Sequence, residues 1–194
     1  LGGKGALELQ RLIEGLERGR EVVLTALPLY HIFAFSLNML GFYWMGAHNI
    51  LIPSPRPLSN LKRAFENYPI TWMSGVNTLF NGLANEIWFL DTPPRHLKFA
   101  SAGGMALQTA VAEGWEEITG RPLLQGYGLT ETSPVLTFNP LGKTRAGSIG
   151  VPVPSTEAGS IPDSSEILRT AGETASDFSP VDFLSDSAEV VSFF

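Results

Sequence analysis

The segment at residues 125 to 134, QGYGLTETSP, groups side chains that suit the binding of a nucleotide. Gly126 and Gly128 expose backbone on both sides of Tyr127, whose flat ring is suited to packing against a base. Thr130 offers a hydroxyl to a phosphate oxygen, and Glu131 offers a carboxylate oxygen to Mg²⁺. An ordinary turn, capped by Thr130 with Glu131 in solvent, has the same spacing. The residues alone leave both interpretations open.

Two glycines in the segment at residues 101 to 107, SAGGMAL, separate a predicted strand from a predicted helix. Glycine lets a ligand approach the backbone closely, but a tight strand-to-helix turn also favours it, and the turn is the simpler explanation. The segment is neither a dinucleotide fingerprint nor a Walker loop. GGKG at residues 2 to 5 lacks the Walker spacing and its Ser or Thr, so we do not interpret it as a phosphate loop.

His31, in LPLYHIFAF, is a third candidate because it ends an apolar strand. Such a histidine is more often a hydrogen-bonded core residue than a catalyst. Its neighbours Tyr30, Phe33 and Phe35 would make any adjoining pocket suitable for an apolar ligand. The other two histidines have no convergent partners in the sequence and receive no role.

These candidates lie in a predicted alternation of strands and helices, which indicates an α/β fold with a mainly parallel sheet and covering helices. The carboxyl ends of the strands in such a sheet are where ligands bind, and the segment at residues 125 to 134 follows a strand. The predicted strands cover residues 22–26, 49–52, 70–74, 97–101 and 122–126, and the predicted helices cover residues 6–18, 32–45, 58–68, 76–88 and 107–118.

An apolar run at residues 32 to 47 lies inside a stretch, residues 22 to 55, that has no charged side chain. A membrane span needs about 20 apolar residues, and polar residues, glycine and proline interrupt this stretch. A buried strand, helix and strand explain it better, so we expect no transmembrane span.

The composition narrows the functional class. Of 194 residues, 44% are hydrophobic and 16% are charged, which disfavours a disordered or coiled-coil chain. The net charge of −6 argues against nucleic acid as the main partner. The chain has no cysteine, so disulfides, thiolate zinc sites and a cysteine nucleophile are excluded, and a cytosolic location fits.

The negative charge is concentrated in residues 155 to 194, which carry nine Ser, eight Asp or Glu and a single basic residue, Arg169. This acidic, Ser-rich composition predicts a largely irregular, disordered tail. Residues 1 to 154, which we take as the folded domain, have a net charge of only +1.

Five motifs together, LPLYHIFAF, GVNTLF, SAGGM, QGYGLTETSP and GSIGVPVPSTEA, resemble the bacterial long-chain fatty-acid–CoA ligases of the adenylate-forming, AMP-binding superfamily. The resemblance covers about residues 5 to 158 and identifies them as part of that family's large N-terminal domain. It implies that a fatty acid and ATP form an acyl-adenylate with Mg²⁺, after which CoA displaces AMP. It also implies a cytoplasmic enzyme that makes peripheral contact with the inner face of the cell membrane.

The resemblance assigns roles to individual residues. Thr130 would contact the α-phosphate, Glu131 would hold Mg²⁺, and His31 would sit at the reacting carboxylate. Phe35 occupies the place of an aromatic gate to the acyl tunnel. The remaining nucleotide-binding positions are Gly103, Gly104, Met105, Gln125, Gly126, Tyr127 and Gly128, and the remaining acyl-binding positions are Val76, Asn77 and Thr78.

The family's phosphate loop, ribose-binding aspartate, CoA site and C-terminal domain with its adenylation lysine have no counterpart in the 194 residues. We therefore expect a fragment that does not complete the reaction. A non-catalytic fragment that binds fatty acid or nucleotide, and a non-functional truncated product, are the alternatives. The tail after residue 158 resembles out-of-frame or unrelated sequence.

Overall fold

The computed structural model describes residues 15–140, 143–145, 147–153 and 156. Within them, seven strands form one sheet in the order β2-β1-β3-β4-β5-β6-β7. The pairs among the first five strands in this order are parallel, and the last two pairs are antiparallel. The predicted α/β class is confirmed. The strands are β1 (Val22–Thr25), β2 (His48–Leu51), β3 (Trp72–Gly75), β4 (Phe99–Ala102), β5 (Leu123–Gly128), β6 (Val135–Phe138) and β7 (Val151–Pro152).

The central strands are buried on both faces, as their continuous apolar sequences predict. On β3, Met73 belongs to the larger core cluster and Trp72 to the smaller cluster, because successive side chains point to opposite faces. β1 lies between β2 and β3, so the chain order reverses there. Open α/β sheets bind ligands outside the carboxyl ends of the strands at such a point.

Four α-helices supply residues to the larger core. They are α1 (Ser59–Asn67), α2 (Asn77–Leu83), α3 (Ile87–Asp91) and α4 (Thr109–Thr119). Trp115 of α4 packs against the rings of Phe80 and Phe89, with centroids 4.9 and 5.4 Å away. The single helix predicted at residues 76–88 is wrong, because Glu86 has extended backbone between α2 and α3. Its carboxylate instead accepts the indole N–H of Trp88 at 2.8 Å.

A π-helix (Ala34–Gly41) follows β1, and one helical turn (Phe42–Trp44) continues it. The sequence predicted a buried helix at residues 32–45, and its location is confirmed. Periodicity did not reveal its π-type hydrogen bonding. Asn38 is buried and donates to the Thr25 hydroxyl at 3.0 Å, which ties the π-helix to β1. The opposite side of the helical segment is exposed, contrary to the prediction, at Phe35, Met39, Leu40, Tyr43 and Trp44.

Three further expectations concern the ends of the chain and the membrane. The predicted helix at residues 6–18 lies mostly outside the described residues, and residues 15–18, which are described, are not helical. The predicted irregular tail also lies outside them, except for Thr156, which is buried. Among the described residues, none of the helices has the length and apolarity that crossing a bilayer requires.

β5 is longer than the strand predicted at residues 122–126 and also includes Tyr127 and Gly128. The sequence analysis did not predict its antiparallel partner β6, where Thr137 lies opposite Tyr127. A Cβ on Gly128 would overlap the carbonyl oxygen of Pro134. The absence of a side chain at Gly128 therefore allows the chain to turn back against its own strand.

Candidate functional site

A cavity of about 240 Å³ lies where β4 and β5 end. The loop after β1 and the start of the π-helix cover it on one side, and β6 borders it on another. Its position at the carboxyl ends of parallel strands is the one expected for a ligand site in an open α/β sheet. The predicted site residues that line it are His31, Gly103, Gly104, Gly126, Tyr127, Gly128 and Thr130.

The glycine pair after β4 forms one wall of the cavity. A Cβ on Gly103 would lie 3.1 Å from the ring of Phe33, so the ring covers the backbone there. Gly104 has a φ of +79°, a conformation that residues with a Cβ rarely adopt. Met105 follows them but is about half exposed and does not line the cavity.

A 3₁₀ turn (Thr130–Thr132) after β5 presents the second wall. Thr132, not Thr130, caps this turn: its hydroxyl accepts the Leu129 N–H at 2.8 Å and lies 2.7 Å from the Pro134 carbonyl oxygen. The alternative of a turn capped by Thr130 is therefore wrong. Thr130 lines the cavity, and its hydroxyl makes no hydrogen bond with any other described residue. The position of Thr130 is set by the 3₁₀ turn, whose backbone is held by the hydrogen bonds of Thr132.

His31 lies at the edge of the cavity on the loop between β1 and the π-helix. Its Nδ1 accepts the backbone N–H of Phe33 at 3.3 Å. With Nδ1 accepting, the neutral imidazole carries its proton on Nε2. The ring is exposed, so the interpretation of His31 as a core residue is wrong.

Besides Met105, six predicted site residues lie outside the lining: Phe35, Val76, Asn77, Thr78, Gln125 and Glu131. Asn77 is buried, and its side-chain oxygen accepts the Gln108 N–H at 3.0 Å, which joins α2 to the segment before α4. The Val76 side chain lies close to Gly104, since a Cβ added there would be 3.7 Å from it. The structure thus shows structural contacts for Val76 and Asn77.

A family model described as AMP-binding enzyme matches residues 6–170. The chain belongs to the AMP-binding enzyme family. The match extends beyond residue 154, where we place the domain end, and that boundary stays a prediction.

Two curated relatives of this AMP-binding chain are long-chain-fatty-acid–CoA ligases. The protein of Yersinia pestis is 50% identical over 143 residues, which are 73% of this chain and 25% of that protein. The protein of Salmonella typhimurium is 48% identical over 149 residues, 76% of this chain and 27% of that protein. The chain thus spans about a quarter of the length of these relatives.

The fold of this AMP-binding chain is also that of a solved CoA ligase. The crystal structure of an anthranilate CoA ligase in complex with anthranoyl-AMP covers 87% of this chain with a TM-score of 0.73. The match covers 33% of that structure, at 24% sequence identity. This similarity supports the shared architecture of the sheet and its helices.

Several apolar residues that line the cavity are not among the predicted site residues. Phe33 and Leu37 come from the helical segment after His31, Trp72 from β3, and Phe138 from β6. The sequence indicates Phe33 only as an apolar neighbour of His31. The sequence did contain a signal for Trp72. Trp72 and Ser74 alternate on β3 and therefore lie on the same face of the sheet, where the small serine leaves space beside the large ring. Phe138 gave no such signal, because its strand was not predicted.

Glu131 is the residue to which the sequence assigns a metal ion. Among the described residues, there is no group of three or more His, Asp or Glu side chains that could hold a metal ion. Glu131 is exposed beside Thr130 on the 3₁₀ turn. Mg²⁺ is often held by one or two carboxylates together with substrate phosphates. A single carboxylate at this position fits that mode of binding.

Proposed function

We propose that this chain forms part of the site at which a ligase activates a long-chain fatty acid with ATP and transfers it to CoA. A carboxylate oxygen of the acid would attack the α-phosphorus, and the bond to pyrophosphate would break. The CoA sulfur would then attack the acyl carbon, and AMP would leave. The observation that carries this proposal is the convergence of Gly103, Gly104, Thr130 and His31 on one cavity.

The nucleotide is proposed to bind between the two walls of the cavity, which are the glycine pair after β4 and the 3₁₀ turn after β5. The glycine pair after β4 would lie against the adenine, and residues 126–128 of β5 would complete that wall. Met105 and Gln125 would adjoin the adenine from positions next to the lining. Thr130 would donate its hydroxyl to the α-phosphate, and Glu131 would bind Mg²⁺. Two anions must approach each other in this reaction, so hydroxyl, backbone and metal contacts that offset developing negative charge would lower the barrier.

The acyl side is proposed to begin at His31. An imidazole whose Nε2 carries the proton can donate to a carboxylate oxygen of the acid. Phe33 and Leu37 supply apolar surface next to it, which suits an alkyl chain. Phe35 would gate the acyl tunnel, and residues 76–78 would line it farther from the cavity. CoA would bind to parts of the ligase beyond this chain.

We also propose a cytoplasmic location with peripheral contact at the inner face of the membrane. The support for this contact is the exposure of aromatic side chains, since Tyr30 is 92% and Tyr43 is 80% exposed. Tyrosine favours the boundary between water and an apolar phase. Flotation of the chain with anionic vesicles would support the membrane contact, and recovery of all the protein in the lipid-free fraction would refute it.

Titration calorimetry of the 194-residue chain with AMP tests the proposed site. We expect the wild-type chain to bind AMP, and Thr130→Val to weaken binding about tenfold, because a hydrogen bond to a charged group contributes about 1.5 kcal/mol or more. Thr144→Val is the matched control, since Thr144 is exposed outside the cavity. Wild-type affinity in Thr130→Val, or no binding by any of the three proteins, would contradict the proposal.

A further inference from the structure

Three polar side chains join β1 and β2 to the middle of the π-helix. Asn38 is completely buried, and its amide nitrogen donates to the Thr25 hydroxyl at 3.0 Å. The Thr25 hydroxyl donates to the side-chain oxygen of Asn49 at 3.1 Å. The Asn49 amide donates in turn to the backbone oxygen of Asn38 at 3.0 Å. These three hydrogen bonds form a closed ring, which we call the Asn38 network.

The bond between Asn38 and Thr25 closes the loop that carries His31. Thr25 is the last residue of β1, and Asn38 lies 13 positions later in the π-helix. The bond therefore joins the two sides of residues 26–33, hereafter the His31 loop. Residues 31–33 of this loop line the cavity. Because the His31 ring is exposed, its position depends mainly on the backbone of the loop.

Packing alone does not account for an amide at position 38. The side-chain oxygen of Asn38 has no hydrogen-bond partner in the part of the chain that the structure describes. A buried polar atom without a partner destabilises a fold, and a leucine of similar size would fill the space without such an atom. The hydrogen bond to Thr25 does account for the amide, if that bond is needed to hold the His31 loop.

We propose that Asn38 and Thr25 are positioning residues for the fatty acid, because their hydrogen bond holds the His31 loop where the imidazole can meet the carboxylate. This inference rests on the proposed function, which assigns the carboxylate of the acid to His31. Without the bond, the loop would spend part of its time in other positions. The apparent affinity for the acid then falls with the fraction of chains that hold His31 in place. Loss of one hydrogen bond of ordinary strength would lower that fraction about fivefold.

The first test is titration calorimetry of variants of the 194-residue chain with dodecanoate. Asn38→Leu removes the donor and Thr25→Val removes the acceptor, so each should weaken dodecanoate binding about fivefold. Thr25→Ser keeps the hydroxyl and should keep the wild-type affinity. The affinity for AMP should stay close to that of the wild-type chain in all three variants, because the walls proposed for the nucleotide follow β4 and β5.

Thr71→Val is the matched control, because it makes the same change at another buried hydroxyl. The Thr71 hydroxyl accepts the N–H of Val22 at 2.9 Å and donates to its carbonyl oxygen at 3.2 Å. Val22 is at the opposite end of β1 from Thr25. This control should lower stability in urea without changing the affinity for dodecanoate.

Amide hydrogen exchange tests the loop without any ligand. The His31 amide donates to the Pro28 carbonyl oxygen at 3.0 Å within the loop. In Asn38→Leu this amide should exchange about fivefold faster than in the wild-type chain, because the loop opens more often. The Gly103 amide, which donates to the end of β3 at 3.2 Å, should keep its exchange rate.

The outcomes separate this inference from the function on which it rests. If Asn38→Leu and Thr25→Val fold and bind dodecanoate as the wild-type chain does, the inference is overturned and the proposed function stands. An equal loss in Thr71→Val, an equal loss of AMP binding, or unchanged exchange at His31 overturns it as well. If neither variant folds by circular dichroism, the network serves the fold itself, and the positioning role is wrong. If dodecanoate does not bind to the wild-type chain, the proposed acyl site fails and the inference fails with it.

Discussion

Gly103→Ala tests whether the glycine wall depends on contact with Phe33. The added Cβ would lie 3.1, 3.3 and 3.4 Å from three ring carbons of Phe33. Such contacts are tighter than ordinary van der Waals separation, so the ring must move by a few tenths of an ångström. Overpacking of this kind costs about 1–3 kcal/mol, and we expect a loss near 1 kcal/mol because one ring can shift. Urea unfolding followed by circular dichroism measures the loss.

Gly114→Ala is the matched control because it adds the same methyl group without a clash. Gly114 lies inside α4, and a Cβ there would meet no other atom within 4 Å. Alanine is favoured over glycine inside a helix by about 0.5–1 kcal/mol. This control should therefore be more stable than the wild-type chain. The two substitutions are expected to have opposite signs.

A double-mutant cycle identifies the group responsible for the loss. Phe33→Leu removes the ring edge that the new Cβ meets, so Gly103→Ala should cost less in that background. Contacting residues show interaction energies of about 0.5–3 kcal/mol, and we expect a value near the lower end. Unchanged stability in Gly103→Ala, or additive effects of the two substitutions, would refute the interpretation of this wall.

Three further substitutions test other parts of the structure by urea unfolding. Gly128→Ala should cost about 3 kcal/mol or more, because the new Cβ overlaps the Pro134 backbone, and near wild-type stability would contradict this geometry. Thr132→Val should cost about 1 kcal/mol through loss of the turn cap, and no loss would count against that role. Lys98→Met should cost about 3 kcal/mol, because it leaves the buried Glu21 carboxylate without the ammonium 2.8 Å away. Adding Glu21→Gln should recover part of this loss, and no recovery would refute the charge explanation.

Local sequence patterns predicted the central elements well. The strand predicted at residues 70–74 corresponds to β3, and the helix at residues 58–68 to α1, with ends displaced by one or two residues. Both have strong apolar patterns that depend on neighbours in the sequence. β6 was missed although it pairs with β5 across a short connection, with Gly128 opposite Val135, and β7 has only two residues, too few for a periodic pattern. The π-helix was predicted only as a helix, since periodicity does not distinguish hydrogen-bond types.

The predicted site residues that follow directly after strands do come together in the structure. Gly103 follows β4, and Thr130 follows β5, so the parallel sheet brings them to one edge. The packing of Phe33 over Gly103 joins segments about 70 residues apart, and no local pattern predicts such a contact. The roles assigned to all of these residues stay predictions, and Glu131 and Phe35 do not even line the cavity.

The most direct test of the proposed nucleotide site is an AMP titration of the 194-residue chain followed by amide NMR. The account predicts that the largest shift changes occur at Gly103, Gly104, Gly128 and Thr130, while Gly114 in α4 is unaffected. Those four positions line the same cavity from two different strand ends. Saturable changes confined to residues outside the cavity, or no changes at any AMP concentration, would contradict the assignment of this edge of the sheet to nucleotide binding.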